Sequence, residues 1–415
     1  SFQARKILCV ATSALRDAPN KNDFLSLVKS KLKLDIKVIS GEREAYLGAM
    51  ACANLLPRQK NALSIDIGGG STEFSYINED NITKYFSLEL GTVRLKELFF
   101  DDNKIEEATR YIDNKLSSIE DISPNTLIGI GGTFRAISSS IMYINQYPLI
   151  KIHAFECIAK DFISHTDKIL TANEDELKTL GIKNARFDII KPGALILQRV
   201  FKKLSIKNTI TSGVGVREGV YLSDLLRNSK DKFPVNYSTS VRYLIDTNIN
   251  NKNYSNNINF ISKKLFDLTY EYYNIDSKYR YDLAVAAKLF PSGSNIHFFS
   301  QNKNSYYLIK SALEYGFTHS QIMLIATLTR YAKNKLPSSR HIAKYKDLLP
   351  DTQTINYLSY IISISITLLL HKPKNIDFTL SFEDGVIKVD SKKPLYLSKE
   401  ATMKVIELEN LKTIF

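Results

Sequence analysis

The stretch that most constrains this chain is Ile65-Asp66-Ile67-Gly68-Gly69-Gly70-Ser71-Thr72-Glu73. An apolar run from Ala62 to Ile67 enters it and a second, Phe74 to Ile77, leaves it, which predicts strand, glycine turn, strand. Consecutive glycines let the backbone take positive φ and approach a ligand closely. Amide N–H groups in such a turn can converge on an anion, a phosphate above all. Asp66 and Glu73 then stand at the rim of that anion site. Carboxylates beside a phosphate call for a hard cation between them, and Mg²⁺ suits oxygen donors of this kind. A plain glycine-rich hairpin would need neither acid, nor the hydroxyl of Ser71.

Asp-Ile-Gly-Gly-Gly-Ser-Thr-Glu resembles the second phosphate loop of the actin-like ATPase superfold. Its Ser-Thr-Glu ending resembles one branch, the exopolyphosphatase / guanosine pentaphosphate phosphohydrolase family. Chaperone and cytoskeletal relatives more often carry Thr and then Asp in those places.

Upstream, Lys6 to Val10 and Ile36 to Ile39 read as strands around the amphipathic helix Phe24 to Leu32, and a helix opens near Glu42 and runs to about Ala53. Alternating strand and helix argue for an α/β domain, whose ligands gather beyond the carboxyl ends of strands. Arg16 and Glu44 both lie just past such ends. The segments Thr12-Ser13-Ala14-Leu15-Arg16-Asp17-Ala18 and Ser40-Gly41-Glu42-Arg43-Glu44-Ala45 also match family motifs. The resemblance implies that Arg16 contacts the phosphate chain and that Glu44 is the catalytic base; Glu42 is the competing acid, on a different side of the helix start.

Downstream, Lys84 to Leu88 completes a hairpin, and helices are predicted at Val93 to Phe99 and Ile105 to Ile119. The strand Leu127 to Ile130 runs into Gly131-Gly132-Thr133 and a helix start, either an ordinary turn or a second anion cradle. Its place in the order that the family shows favours the cradle. Arg186-Phe187-Asp188 and Lys191-Pro192-Gly193-Ala194 precede an amphipathic helix, Leu195 to Leu204. Strand Asn208 to Thr211 then leads into Ser212 to Gly219, and a helix follows. Arg217 could reach substrate or pair with Glu218.

The resemblance implies an actin-like (ribonuclease H-like) two-lobed α/β fold. Residues 1–55 would be the remainder of lobe one and 56–227 lobe two, with a polar linker around Asn228 to Ser240. Residues 228–345 would be a helical domain related to HD phosphohydrolases, and 346–415 a small α+β segment with helix Lys399 to Glu409. The helical half has Leu289-Phe290-Pro291-Ser292-Gly293 where a metal-binding His-Asp pair belongs, and His297, His319 and His341 lack carboxylates at ligand spacing. No catalytic metal is expected there; the half would extend a basic channel, fix substrate length or make a homodimer. The family's first phosphate loop, an Asp-x-Gly-Ser-Asn-Ser type segment, has no counterpart. Lobe one is therefore expected to be incomplete, whether a preceding piece is omitted or half the phosphate clamp is lost.

Net charge of +13 favours polyanionic partners without choosing among them. No zinc-finger or RNA-binding motif appears, so nucleic acid is not favoured. The apolar run Ile361 to Leu370 is too short to span a bilayer and is interrupted by Ser363, Ser365 and Thr367. Cys9, Cys52 and Cys157 show no pairing pattern and fit a reducing cytoplasm.

The function expected is Mg²⁺-assisted hydrolysis of the terminal phosphate of inorganic polyphosphate. Glu44 would activate water, and Asp66 and Glu73 would hold the metal. Amides of Gly68, Gly69, Gly70 and Ser71 would meet the terminal phosphate, with Gly131, Gly132 and Thr133 opposite them, and Arg16 would hold the following phosphates. Guanosine pentaphosphate is the alternative substrate. A binding protein without turnover is the bland alternative, and an actin-like ATPase or sugar kinase, with an adenosine pocket at Gly131 to Arg135, is the other enzyme reading.

Overall fold

Gln59–Ile67 forms the strand on which the first part of the molecule is built. The computed structural model describes residues 4–119, 123–234 and 236–415, and divides into compact units at 1–236 and 237–415. Numbered from the amino end, β1 (Cys9–Ala11) and β2 (Ile36–Val38) pair in parallel, joined through the helix Lys21–Leu32. Then come β3 (Gln59–Ile67), β4 (Thr72–Glu79), β5 (Asn81–Leu88), β6 (Thr126–Ile130), β7 (Phe155–Ile158) and β8 (Asn208–Thr211). They make a six-stranded sheet in the order β5-β4-β3-β6-β8-β7. β3 is antiparallel to β4 and parallel to β6, β6 is parallel to β8, and β7 closes the edge antiparallel to β8.

Side chains alternate along β3 because a strand repeats every two residues. Leu63, Ile65 and Ile67 enter a core shared with Leu127, Phe134 and Ile137. Ala62 enters a second core with Ala49, Cys52 and Ile128, under the helix Gly41–Leu55. Ser64 and Asp66 share the Ala62 face by the same period. The Ser75 hydroxyl, from the position opposite Ser64, donates to the Ala45 carbonyl at 2.9 Å, tying that helix to this face.

Several local expectations are corrected. The helix expected from Leu195 begins at Phe187 and carries Pro192 inside it. Proline removes one intrahelical donor there, but Ile190, Ala194, Ile196, Leu197 and Val200 are buried along the helix and their packing overrides the local penalty. Arg217 and Glu218, read as loop, lie in the first turn of the helix Val216–Leu225. The helix expected at Val93 to Phe99 is a short α-turn, Thr92–Leu95, that widens into a π-turn at Lys96–Phe100. β7 and the helix Ala159–Thr171 fall where the sequence suggested no element.

The second unit is mainly helical, around Thr352–Leu368. That helix is apolar on nearly every side, as a central core helix must be. Its Ser363 and Ser365 hydroxyls donate back to the carbonyls of Ser359 and Ile361, both at 2.7 Å, which satisfies them without water. Among the described residues no helix is long and apolar enough to cross a membrane. The unit ends in β9 (Phe378–Glu383), β10 (Val386–Ser391) and β11 (Lys412–Ile414), in the order β11-β10-β9. The last helix stops at Thr402 instead of reaching Glu409, and β11 was not anticipated.

Candidate active site

Register brings the two rim carboxylates together. Asp66 on β3 is the direct cross-strand partner of Glu73 on β4. Directly opposed residues project to the same face with Cβ atoms about 5 Å apart, here the face under the helix Gly41–Leu55. That helix starts with Ser40 as its cap, the Ser40 hydroxyl accepting the Arg43 N–H at 3.2 Å. Capping sets the first turn, and Glu44 then comes within electrostatic reach of both acids. Burial, reinforced by the Glu44 charge, pushes Asp66 up to about 6. The same causes in the same order push Glu73 up to about 8, against hydroxyl bonds from Ser71 and Ser87, the latter at 2.8 Å. Glu44 is raised as well, by burial, although Arg16 opposes it.

Arg16 is committed on two sides. Its guanidinium donates to the Ile39 carbonyl at 2.8 Å and to Glu44 Oε2 at 3.4 Å. The short helix that carries it, Ser13–Arg16, abuts the glycine turn: a Cβ on Gly70 would lie 2.5 Å from the Ser13 hydroxyl. Glu42 is exposed, and hydrogen bonds at the helix start, with a smaller effect of the Arg16 charge, hold its carboxyl below the ordinary range.

Within the turn, the carbonyls are tied down on one side. Gly68 O accepts from Thr92 N and Gly69 O from Val93 N, each at 2.9 Å, and Gly70 O accepts from Arg94 Nε at 3.1 Å. The close approach requires glycine on the partner strand end too, since a Cβ on Gly91 would sit 2.2 Å from Gly69 O. Gly68 N–H donates to Ser71 O at 2.9 Å, so this expected phosphate donor is already engaged. Among the described residues, the N–H groups of Gly69, Gly70 and Ser71 have no such backbone acceptor. These are the amides that can face an anion.

The second loop follows β6. Gly131 has φ +83°, and a Cβ there would lie 2.4 Å from Asp66 Oδ1, so the carboxylate rests directly on this backbone. Thr133 turns inward and packs its side chain against Gly193. Its side chain is therefore core, while Gly132 lines a neighbouring cavity. Three residues outside the expected ligand set complete the surroundings. Arg135 donates from Nε to Gly131 O at 2.9 Å, the Arg186 guanidinium lies against Gly132, and Lys183 joins them around a cavity of about 410 Å³. Among the described residues none of these three cations has an ion-pair partner. Arg217 stands apart, largely exposed and paired with Glu218 at 2.8 Å. Among the described residues no group of at least three acidic, histidine or cysteine side chains is arranged to hold a metal. Asp66 and Glu73 are nevertheless a fitting pair for a small hard cation: both are oxygen donors, mutually opposed, and pushed toward protonation by burial and the Glu44 charge.

A family model described as the Ppx/GppA phosphatase family matches residues 1–228, and one described as domain III of the same phosphatases matches residues 238–404. The chain belongs to the Ppx/GppA phosphatase family. Members of this family are phosphoanhydride hydrolases with an actin-like ATPase fold, and they generally depend on a metal ion. A bifunctional 3-dehydroquinate synthase/phosphatase of Fusobacterium nucleatum is 34% identical over 213 residues, which is 48% of this chain and 32% of the relative. A guanosine-5'-triphosphate,3'-diphosphate pyrophosphatase of Photobacterium profundum is 25% identical over 346 residues, covering 81% of this chain and 67% of the relative. The crystal structure of the Aquifex aeolicus Ppx/GppA member is 26% identical, with a TM-score of 0.49 over 55% of this chain and 76% of that one. The chain thus spans about a third of the first relative's length and two thirds of the second's.

Proposed function

We propose that this chain removes the terminal phosphate of inorganic polyphosphate by in-line attack of water. The observation that carries the reading is the convergence of Glu44, Asp66 and Glu73 beside a turn whose Gly69, Gly70 and Ser71 amides can face an anion. Phosphoryl transfer depends mainly on positioning and electrostatics, so no nucleophilic side chain is needed. Glu44 takes the proton of the attacking water; a carboxylate raised by burial is a better base near neutral pH than a solvated one. The oxygen of the shortened chain leaves with the electron pair of the broken P–O bond. Arg16 orients Glu44 and meets the next phosphates. Asp66 and Glu73 would hold Mg²⁺, which when bound supplies neutralising charge for the phosphate oxygens.

Guanosine pentaphosphate hydrolysis is a second reading, favoured by the cavity at Arg135, Lys183 and Arg186. Planar guanidinium groups suit both phosphate oxygens and a stacked base, and a linear phosphate chain needs no such chamber. Phosphate release should be measured from long-chain polyphosphate and from guanosine pentaphosphate, each with and without Mg²⁺. Preferential release from polyphosphate supports the first reading and the reverse preference the second. Binding of both without any release would overturn hydrolysis altogether.

A further inference from the structure

The second unit contains a cluster that the catalytic reading leaves unused. Tyr306 lies on the helix Gln301–Ala312, Arg330 and Tyr331 end the helix His319–Tyr331, and His341 and Lys344 lie on Ser339–Lys344, with Tyr345 following. The Tyr306 and Tyr345 hydroxyls are 3.2 Å apart, and both rings are buried. Arg330 stands 4.8 Å from the Tyr306 ring centre and 5.7 Å from that of Tyr331. Lys310 reaches both Tyr306 and Tyr345, at 5.8 and 6.0 Å, and Lys344 is 5.4 Å from Tyr345.

Stacking on a ring explains any one of these cations. It does not explain three that share two adjacent rings, because like charges so placed repel. Among the described residues none of the three is paired with a carboxylate. The enclosed reporter of this field is His341, with Nε2 2.9 Å from Thr327 Oγ1 and its ring centre 5.0 Å from that of Tyr345. Burial first, then Arg330, Lys344 and Lys310, push it down to about 4, so the imidazole is neutral and adds no charge. The rings of Tyr306 and Tyr331 also pack on it, and burial pushes the Tyr306 hydroxyl up, so that it stays neutral. Burial opposes ionisation of Tyr345, yet the Tyr306 hydrogen bond and the Lys310 and Lys344 charges carry its hydroxyl below the ordinary phenol range. The three cations thus converge on two rings, and among the described residues no carboxylate balances them.

We propose that Lys310, Arg330 and Lys344 form a second anion site that binds a phosphoryl oxyanion, either free phosphate or one group of a phosphate chain. The Arg330 fork supplies two parallel donors to such a group and the lysines supply point charges. This site is built from the second unit alone and does not rest on the hydrolase reading.

The test uses the full chain carrying Glu44→Gln, with histidine rings isotope-labelled; the chain has only 6 histidines, and the His341 signal is assigned by its loss in His341→Gln. Inorganic phosphate, tripolyphosphate and duplex DNA are titrated separately at matched ionic strength. The expected result is a saturable His341 shift with phosphate or tripolyphosphate, and a titration midpoint raised by about one pH unit or more as the bound anion offsets the cations. Saturation by phosphate alone identifies the free anion, and markedly tighter binding of tripolyphosphate identifies a chain. Arg330→Met should weaken binding about tenfold or more. Lys344→Ala, which removes an exposed side chain, should weaken it with an unchanged melting temperature. A His341 response no larger than that to potassium chloride at the same ionic strength would overturn the proposal, as would a response to DNA only.

Discussion

Asp66 and Glu73 face each other as direct cross-strand partners, next to the register pair Ile67 and Thr72 that leads into the glycine turn. Burial, with the Glu44 charge behind it, makes the charged forms costly, and the protein without metal relieves this by holding protons, Asp66 up to about 6 and Glu73 up to about 8. A carboxyl whose folded pKa is raised binds its proton more tightly folded than unfolded. Its contribution to stability is therefore fully present below roughly pH 4 and is lost as pH rises through roughly 6 to 8. The melting temperature of the metal-free protein should fall across that window. Glu73→Gln should flatten the fall and raise stability at its upper end by on the order of 1 kcal/mol or more. Saturating Mg²⁺ should also flatten it and release protons on binding. A wild-type profile already flat without metal would contradict the assignment.

Gly131 supports Asp66 by having no side chain. At φ +83° alanine is strained, and its methyl would press within 2.4 Å of Asp66 Oδ1. Gly316, at φ +82° with nothing within 4 Å, supplies the control in which only the backbone strain is felt. Both alanine substitutions should cost about 1 kcal/mol or more in thermal or denaturant unfolding. Only Gly131→Ala should lower the rate of phosphate release, by about tenfold or more, because it alone displaces a site carboxylate. Equal activities in the two variants would separate Asp66 from the reaction.

The parts of the site that could be read from the sequence are those fixed by short-range rules. The spacing of Asp66 and Glu73 around a glycine turn, on strands with a two-residue period, already implies opposition once the register is known. Glu44 follows Ser40, a cap residue, and so had to occupy the first helical turn. What escaped depends on contacts between segments far apart in the chain. Arg186 meets Gly132 where the helix after it begins, at Phe187, eight residues before the expected start at Leu195. Thr133 is drawn inward by Gly193, sixty residues on, which no motif records; the one local surprise is the Gly68 N–H, engaged by Ser71 O within the turn itself. β7 escaped because it is a short edge strand, paired only with β8.

The Arg135, Lys183 and Arg186 cavity should govern which phosphoanhydride is preferred. Arg186→Ala should raise KM for guanosine pentaphosphate about tenfold or more while changing KM for long-chain polyphosphate little, since a charge-assisted contact contributes about 1.5–3 kcal/mol. Initial-rate measurements with the two substrates on one preparation decide it. The same loss for both would make Arg186 a general phosphate contact.

The most direct test of the whole account is Glu44→Gln, which keeps the shape of the side chain next to Arg16 and removes its basicity. Single-turnover phosphate release and substrate affinity should be measured side by side in the presence of Mg²⁺. A catalytic base contributes roughly 10²–10⁴ in rate, so release should fall by that factor while the dissociation constant for the substrate stays within a few-fold. Equal loss of binding and rate, or turnover close to wild type, would contradict the role of Glu44.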